Sequence, residues 1–150
     1  MKTVIIYHSE HHGNTKKLVT FLAQKFPIKL VPAEPKTNFN LAPYDLVGFA
    51  SGIYNGNFHE TILNFAQKNL SPGQKTFLLY THGDTRNDDV STYVSAIKKV
   101  LKEKHAPIVG SYNCPGWDTA IGNANPGHPD KADLTKGVQF FQKISQASKK

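Results

Sequence analysis

The chain has 150 residues, 39% of them hydrophobic and 11% aromatic, with one cysteine and a formal net charge of +7. That length predicts one domain, residues 1–150, able to bury a real core, and the aromatic content argues against disorder. No run approaches the ~18 apolar residues of a membrane span, a strand stands where a leader would be, and lone Cys114 closes no internal disulfide, so a cytoplasmic protein is expected.

Strand and helix signals alternate along the chain. A β-branched run at 3–8 is followed by helical spacing of Leu18, Val19, Leu22 and Phe26 over 14–26. A strand near 28–31 precedes Pro32, Pro35 and Pro43, which argue against a long helix before the next strand at 45–50. Then come a helix near 58–69 and a strand near 75–81. The helix near 88–104 carries Val90, Tyr93, Val94, Ile97 and Leu101 on one stripe. After a strand near 107–113, the last helix, 131–147, aligns Leu134, Val138, Phe141 and Ile144. Strands separated by crossover helices predict a parallel sheet covered on both faces. Ligands of such sheets sit beyond the carboxyl ends of the strands, where strand order reverses. The loops there, 8–15, 50–58, 81–88 and 114–130, are polar and glycine-containing.

Charge narrows the partners. Arg86 is the only arginine among 18 basic residues, and lysines such as Lys16, Lys17, Lys98, Lys99, Lys102 and Lys104 are spread along helices. Nucleic-acid recognition recruits arginine, so no nucleic acid is expected. The lysines read as solvated faces or as a field that steers an acidic protein partner.

The first loop, His8-Ser9-Glu10-His11-His12-Gly13-Asn14-Thr15, carries the most chemistry. The first N–H groups of a helix lack intrahelical partners and carry partial positive charge, which suits an anion. Gly13 has no Cβ to bar an oxyanion, and Asn14 and Thr15 can donate or cap. Neither a Walker loop nor Gly-x-Gly-x-x-Gly is present, so a single terminal phosphate fits better than a pyrophosphate. An ordinary βα turn with an N-cap would leave the same signature. Seven histidines raise the question of metal, but no His-x-x-x-His pair or cysteine cluster accompanies adjacent His11 and His12, so no metal is expected. Cys114 reads as a small buried residue, not a reactive thiol. Receiver-domain acids, the Cys-x5-Arg of a phosphatase and a Gly-x-Ser-x-Gly elbow are all missing.

Gly13-Asn14-Thr15 after the first strand resembles the phosphate loop of the flavodoxin family, Ser/Thr-x-Thr-Gly-x-Thr. Cys114-Pro115-Gly116-Trp117-Asp118-Thr119, with Gly127-His128-Pro129 before the last helix, looks like a bacterial flavodoxin-like branch, and the likeness spans essentially the whole chain. The resemblance implies a doubly wound α/β fold: a five-stranded parallel sheet of order 2-1-3-4-5 with helices on both faces. It also implies non-covalent FMN and a low-potential electron carrier between redox proteins, with no catalytic residue. Its phosphate would fall to Ser9, Glu10, His11, His12, Gly13, Asn14 and Thr15. The ring would lie along Ser51, Gly52, Ile53, Tyr54, Asn55 and Gly56, with Tyr54 against the isoalloxazine and Asn55-Gly56 as a turn tolerant of positive φ. Thr81, His82, Gly83 and Asp84 would hold the pyrimidine edge, and Trp117 would edge the ring or cover the sheet end.

Glu10 and His12 stand where the family has hydroxyls. Glu10 is expected to point outward or pair with Lys16 or Lys17. His11 or His12 can replace a hydroxyl as an N–H donor and gains charge as pH falls, so FMN affinity should rise modestly below neutrality. FMN titrations from about pH 8 to about pH 5.5 check this, and flat affinity removes the role. An FMN-dependent NAD(P)H or quinone reductase and a flavin-free binding module on the same fold remain alternatives, and the oligomeric state is left open.

Overall fold

In chain order the computed structural model, which describes residues 1–10, 13–83, 90–119 and 124–148, forms β1 (Thr3–His8), α1 (Asn14–Lys25), β2 (Ile28–Pro32) and β3 (Leu46–Tyr54). These are followed by β4 (Asn57–Phe58), α2 (Glu60–Asn69), β5 (Lys75–His82), a 3-10 turn (Ser91–Val94), α3 (Ser95–Glu103), β6 (Ile108–Pro115) and α4 (Lys131–Ser148). Five strands pair in parallel in the order β2-β1-β3-β5-β6, while two-residue β4 pairs antiparallel with β3. Without β4 the order is the expected 2-1-3-4-5.

Burial explains which strands are central. In β1, Thr3 to Ile6 are all buried, and in β5 so are Thr76 to Thr81, the signature of strands covered on both faces. The edge strands alternate: β2 exposes Lys29 and ends at Pro32, where a missing N–H is tolerated, and β6 exposes Val109 and Ser111. Period-two alternation then divides the core. Val4, Ile6, Val47, Phe49, Leu78 and Tyr80 face one side, against Ile62, Phe65 and Ala66 of α2 and Ile97 and Leu101 of α3. Ile5, Leu46, Ala50, Phe77 and Leu79 face the other, against Leu18, Val19 and Leu22 of α1 and Leu134, Phe141 and Ile144 of α4. Strand order reverses between β1 and β3, so the crevice opens at the ends of those two strands.

Two elements differ from the sequence expectation. The third strand continues past residue 50 to Tyr54, because Asn55 (φ 52°) and Gly56 (φ 79°) form a tight turn that returns the chain into β4. Helix α3 begins only at Ser95, after the 3-10 turn. Among the described residues no helix is long and apolar enough to cross a membrane.

Candidate functional site

The amino end of α1 is bolted to its neighbours by side chains. Gly13 occupies the N-cap position with φ 70° and ψ 29°, a left-handed conformation. An added Cβ there would meet nothing within 4 Å, so the backbone lies bare. Buried Thr15 Oγ1 lies 2.9 Å from Oγ1 of Thr81 on β5. Asn14 Nδ2 donates to the Trp117 carbonyl at 2.9 Å, across the loop that follows β6. Neither side chain caps the helix. Ser9 Oγ does so, accepting from Lys16 N at 3.2 Å. The N–H groups of Asn14 and Thr15 therefore lack acceptors among the described residues, the condition an anion cradle requires.

The rim loops are interlocked as tightly. Gly116 is buried because Asn14 lies over it: a Cβ there would come 2.6 Å from Asn14 Nδ2. Gly83 sits under Asp118, whose Oδ2 would be 2.6 Å from a Cβ. Asn125 Nδ2 donates to the carbonyls of Gly83 (2.9 Å) and Gly116 (3.3 Å), joining the third and fourth loops. Asp118 and Ala124 exchange backbone hydrogen bonds of 2.9 and 2.7 Å.

Of the residues assigned from sequence, Glu10, Asn14, Thr15, Gly52, Ile53, Tyr54, Thr81, His82, Gly83 and Trp117 line one cleft, joined by Asp118, which the sequence reading did not assign. Ser9 and Gly13 shape the cradle beside it. Ser51 is buried, its hydroxyl donating to the Gly52 carbonyl at 2.5 Å and accepting from His59 N at 3.1 Å. Asn55 and Gly56 are exposed at the hairpin tip. His11, His12 and Asp84 lie outside the described residues. Glu10 pairs not with Lys16 or Lys17 but with His8, its Oε2 lying 3.6 Å from His8 Nε2.

Tyr54 closes the cleft. Its hydroxyl accepts from Glu10 N at 3.1 Å and lies over Gly52, where a Cβ would be 3.2 Å from it. Burial, with help from the Glu10 charge, pushes its phenol up to about 12, so the ring stays neutral at physiological pH. Beneath it, His8 and His59 stack in parallel, 3.7 Å between centroids, and Tyr54 meets both edge-on. Burial and the neighbouring His8 lower the pKa of His59. With Tyr54 in place the cleft encloses about 50 Å3. Cys114 is 2% exposed, and burial pushes its thiol up to about 12, as suits a packing residue.

Known proteins resemble this chain. A family model described as a flavodoxin domain matches residues 4–109. An uncharacterized protein of Methanocaldococcus jannaschii is 31% identical, the match covering 96% of this chain and 98% of that one. Among solved structures, oxidised Flavodoxin 1 from Bacillus cereus superposes with a TM-score of 0.71 at 16% identity, covering 97% of this chain and 98% of that one. The FMN-bound flavodoxin of Fusobacterium nucleatum gives 0.70 at 12% identity, covering 98% and 99%. These structural likenesses establish the fold.

Proposed function

This chain belongs to the flavodoxin family, and from that premise we propose that it holds FMN at the cleft and carries electrons at low potential between redox proteins. The observation that carries the reading is the αL backbone at Gly13, with open space where a Cβ would stand, leading into an α1 terminus whose first N–H groups have no acceptor among the described residues. Those donors suit the phosphate of a mononucleotide. Thr15 and Asn14 tie the α1 terminus to Thr81 and Trp117, which lowers the ordering cost when the anion binds there. FMN, when bound, supplies the ability to take up and release electrons singly. Glu10 lines the same cleft, with its Oε2 3.6 Å from His8 Nε2.

The ring end needs more room. Sites for molecules of this size span about 300–1,000 Å3, far above the present cleft. Tyr54 is the closing element, so it must leave Glu10 N and swing off Gly52 to make way, which then sets its aromatic face beside the ring. Tyr54→Phe removes that hydroxyl hydrogen bond, which contributes about 1 kcal/mol to closure, so FMN should associate ~5-fold faster in stopped-flow fluorescence quenching. An unchanged or slower rate places the barrier elsewhere.

The +7 charge supports an acidic redox partner. Electron transfer to such a partner should slow steeply as salt rises above the low-ionic-strength range, measured by mixing reduced protein with the oxidised partner. A salt-independent rate argues against charge steering. The test of the function itself is the visible spectrum of the purified protein followed by anaerobic reduction. Flavin bands and two separate one-electron steps support the carrier. Rapid NAD(P)H oxidation with a quinone acceptor supports a reductase instead. A colourless protein that refuses FMN supports a flavin-free module.

A further inference from the structure

At the end of β1, His8, Glu10 and His59 bring three metal-ligating side chains together, with one ligand atom from each within 4.8 Å of the others. His8 Nε2 is buried and makes no hydrogen bond among the described residues, although Glu10 Oε2 stands 3.6 Å away. A buried imidazole nitrogen without a partner is costly unless something occupies the space it faces. We infer that His8 Nε2, His59 Nε2 and the Glu10 carboxylate form a binding site for a divalent transition cation of the zinc type, completed by water.

The surroundings suit that assignment. The two imidazoles lie face to face, 3.7 Å apart and 8° from parallel, and both turn Nδ1 toward Thr61 Oγ1, at 3.2 Å for His8 and 2.9 Å for His59. A hydroxyl oxygen has two lone pairs and can accept from both Nδ1–H groups at once. That arrangement leaves both Nε2 atoms as bare ligands, the outer-shell support a metal-bound histidine ordinarily has. Thr61 N gives up its 3.2 Å bond to His59 Nδ1 in exchange, and since stacked rings direct their Nε2 lone pairs in parallel, one imidazole has to rotate out of the stack for both to converge on one ion. Tyr54 meets both rings edge-on, and the Glu10 side chain is 51% exposed, so the carboxylate lies at the solvent side of the cluster. Two imidazoles and one carboxylate with a water position match zinc, and cobalt or nickel in its place. His8 and His59 lie 51 positions apart, so no spacing motif records the pair.

Cobalt is the direct probe, because four-coordinate Co2+ absorbs visibly where the hydrated ion scarcely does. Flavin-free protein titrated with Co2+ should develop those bands with one-to-one stoichiometry, and Zn2+ should abolish them. Glu10→Gln keeps the fold, since the residue is exposed, and should weaken Zn2+ at least 10-fold in competition with a chromophoric chelator. Thr61→Val should weaken it about 10–100-fold while leaving all three ligands in place. His59→Ala should remove the cobalt bands, with circular dichroism reporting that the protein stays folded. No cobalt bands in the wild type, or unchanged Zn2+ affinity in both Glu10→Gln and His59→Ala, overturns the inference. Because no flavin is present, either outcome is independent of the FMN reading.

Discussion

Gly48→Ala should destabilise the protein by about 2–3 kcal/mol, one of the largest effects of a single added methyl anywhere in the chain. Gly48 is buried in β3, in register with Phe77 of β5, and the Phe77 ring fills the space where a side chain at Gly48 would stand. A Cβ there would fall within 2.9 Å of three ring carbons. The ring has little room to retreat, because Phe141 packs against it at 5.6 Å and Phe140 at 6.4 Å between centroids. Urea unfolding should show the midpoint falling with an unchanged slope. Phe77→Leu frees the volume, so the double variant should be less destabilised than the sum of the two singles, the sign of direct contact. A Gly48→Ala protein within about 0.5 kcal/mol of wild type would mean that this core yields more readily than its packing implies.

Gly13→Val acts on function more than on stability. Nothing lies within 4 Å of an added Cβ, so the cost is backbone conformation alone: a β-branched residue is strongly disfavoured at φ 70°. Strain of about 1–2 kcal/mol is relieved when the loop leaves the left-handed region, and that movement turns the cradle N–H groups away. Hydrogen bonds to a charged group contribute about 1.5–3 kcal/mol each, so FMN affinity should fall about 10–100-fold for each donor lost. Riboflavin, which lacks the phosphate, should lose much less. Gly13→Asn is the control, because asparagine tolerates the left-handed region, and it should retain most of the affinity. Equal losses for FMN and riboflavin would show that Gly13 serves the ring, not the phosphate.

The parts of this molecule set by neighbours in sequence were legible there. Strand β1, the turn at Gly13 and helix α1 follow from a β-branched run, a glycine and helical spacing within 26 residues. The Asn55-Gly56 turn was legible too, but not that it lengthens β3 to Tyr54, because that depends on pairing with Asn57 and Phe58. Asn14 and Thr15 have the chemistry of caps. Their side chains instead reach Trp117 and Thr81, 103 and 66 positions away, and no local pattern encodes those contacts. Asp118 and Asn125 carry no local signal for the same reason, since the side chain of each meets Gly83 in another loop. Nor did charge pattern alone single out His8 rather than a helix lysine as the partner of Glu10.

The most direct measurement is a calorimetric titration of flavin-free protein with FMN and, separately, with riboflavin. The account predicts one FMN per chain, bound at least ~10-fold more tightly than riboflavin, the difference being the phosphate held at the α1 terminus. Equal affinity for the two, or no heat from FMN at saturating concentration, would contradict it.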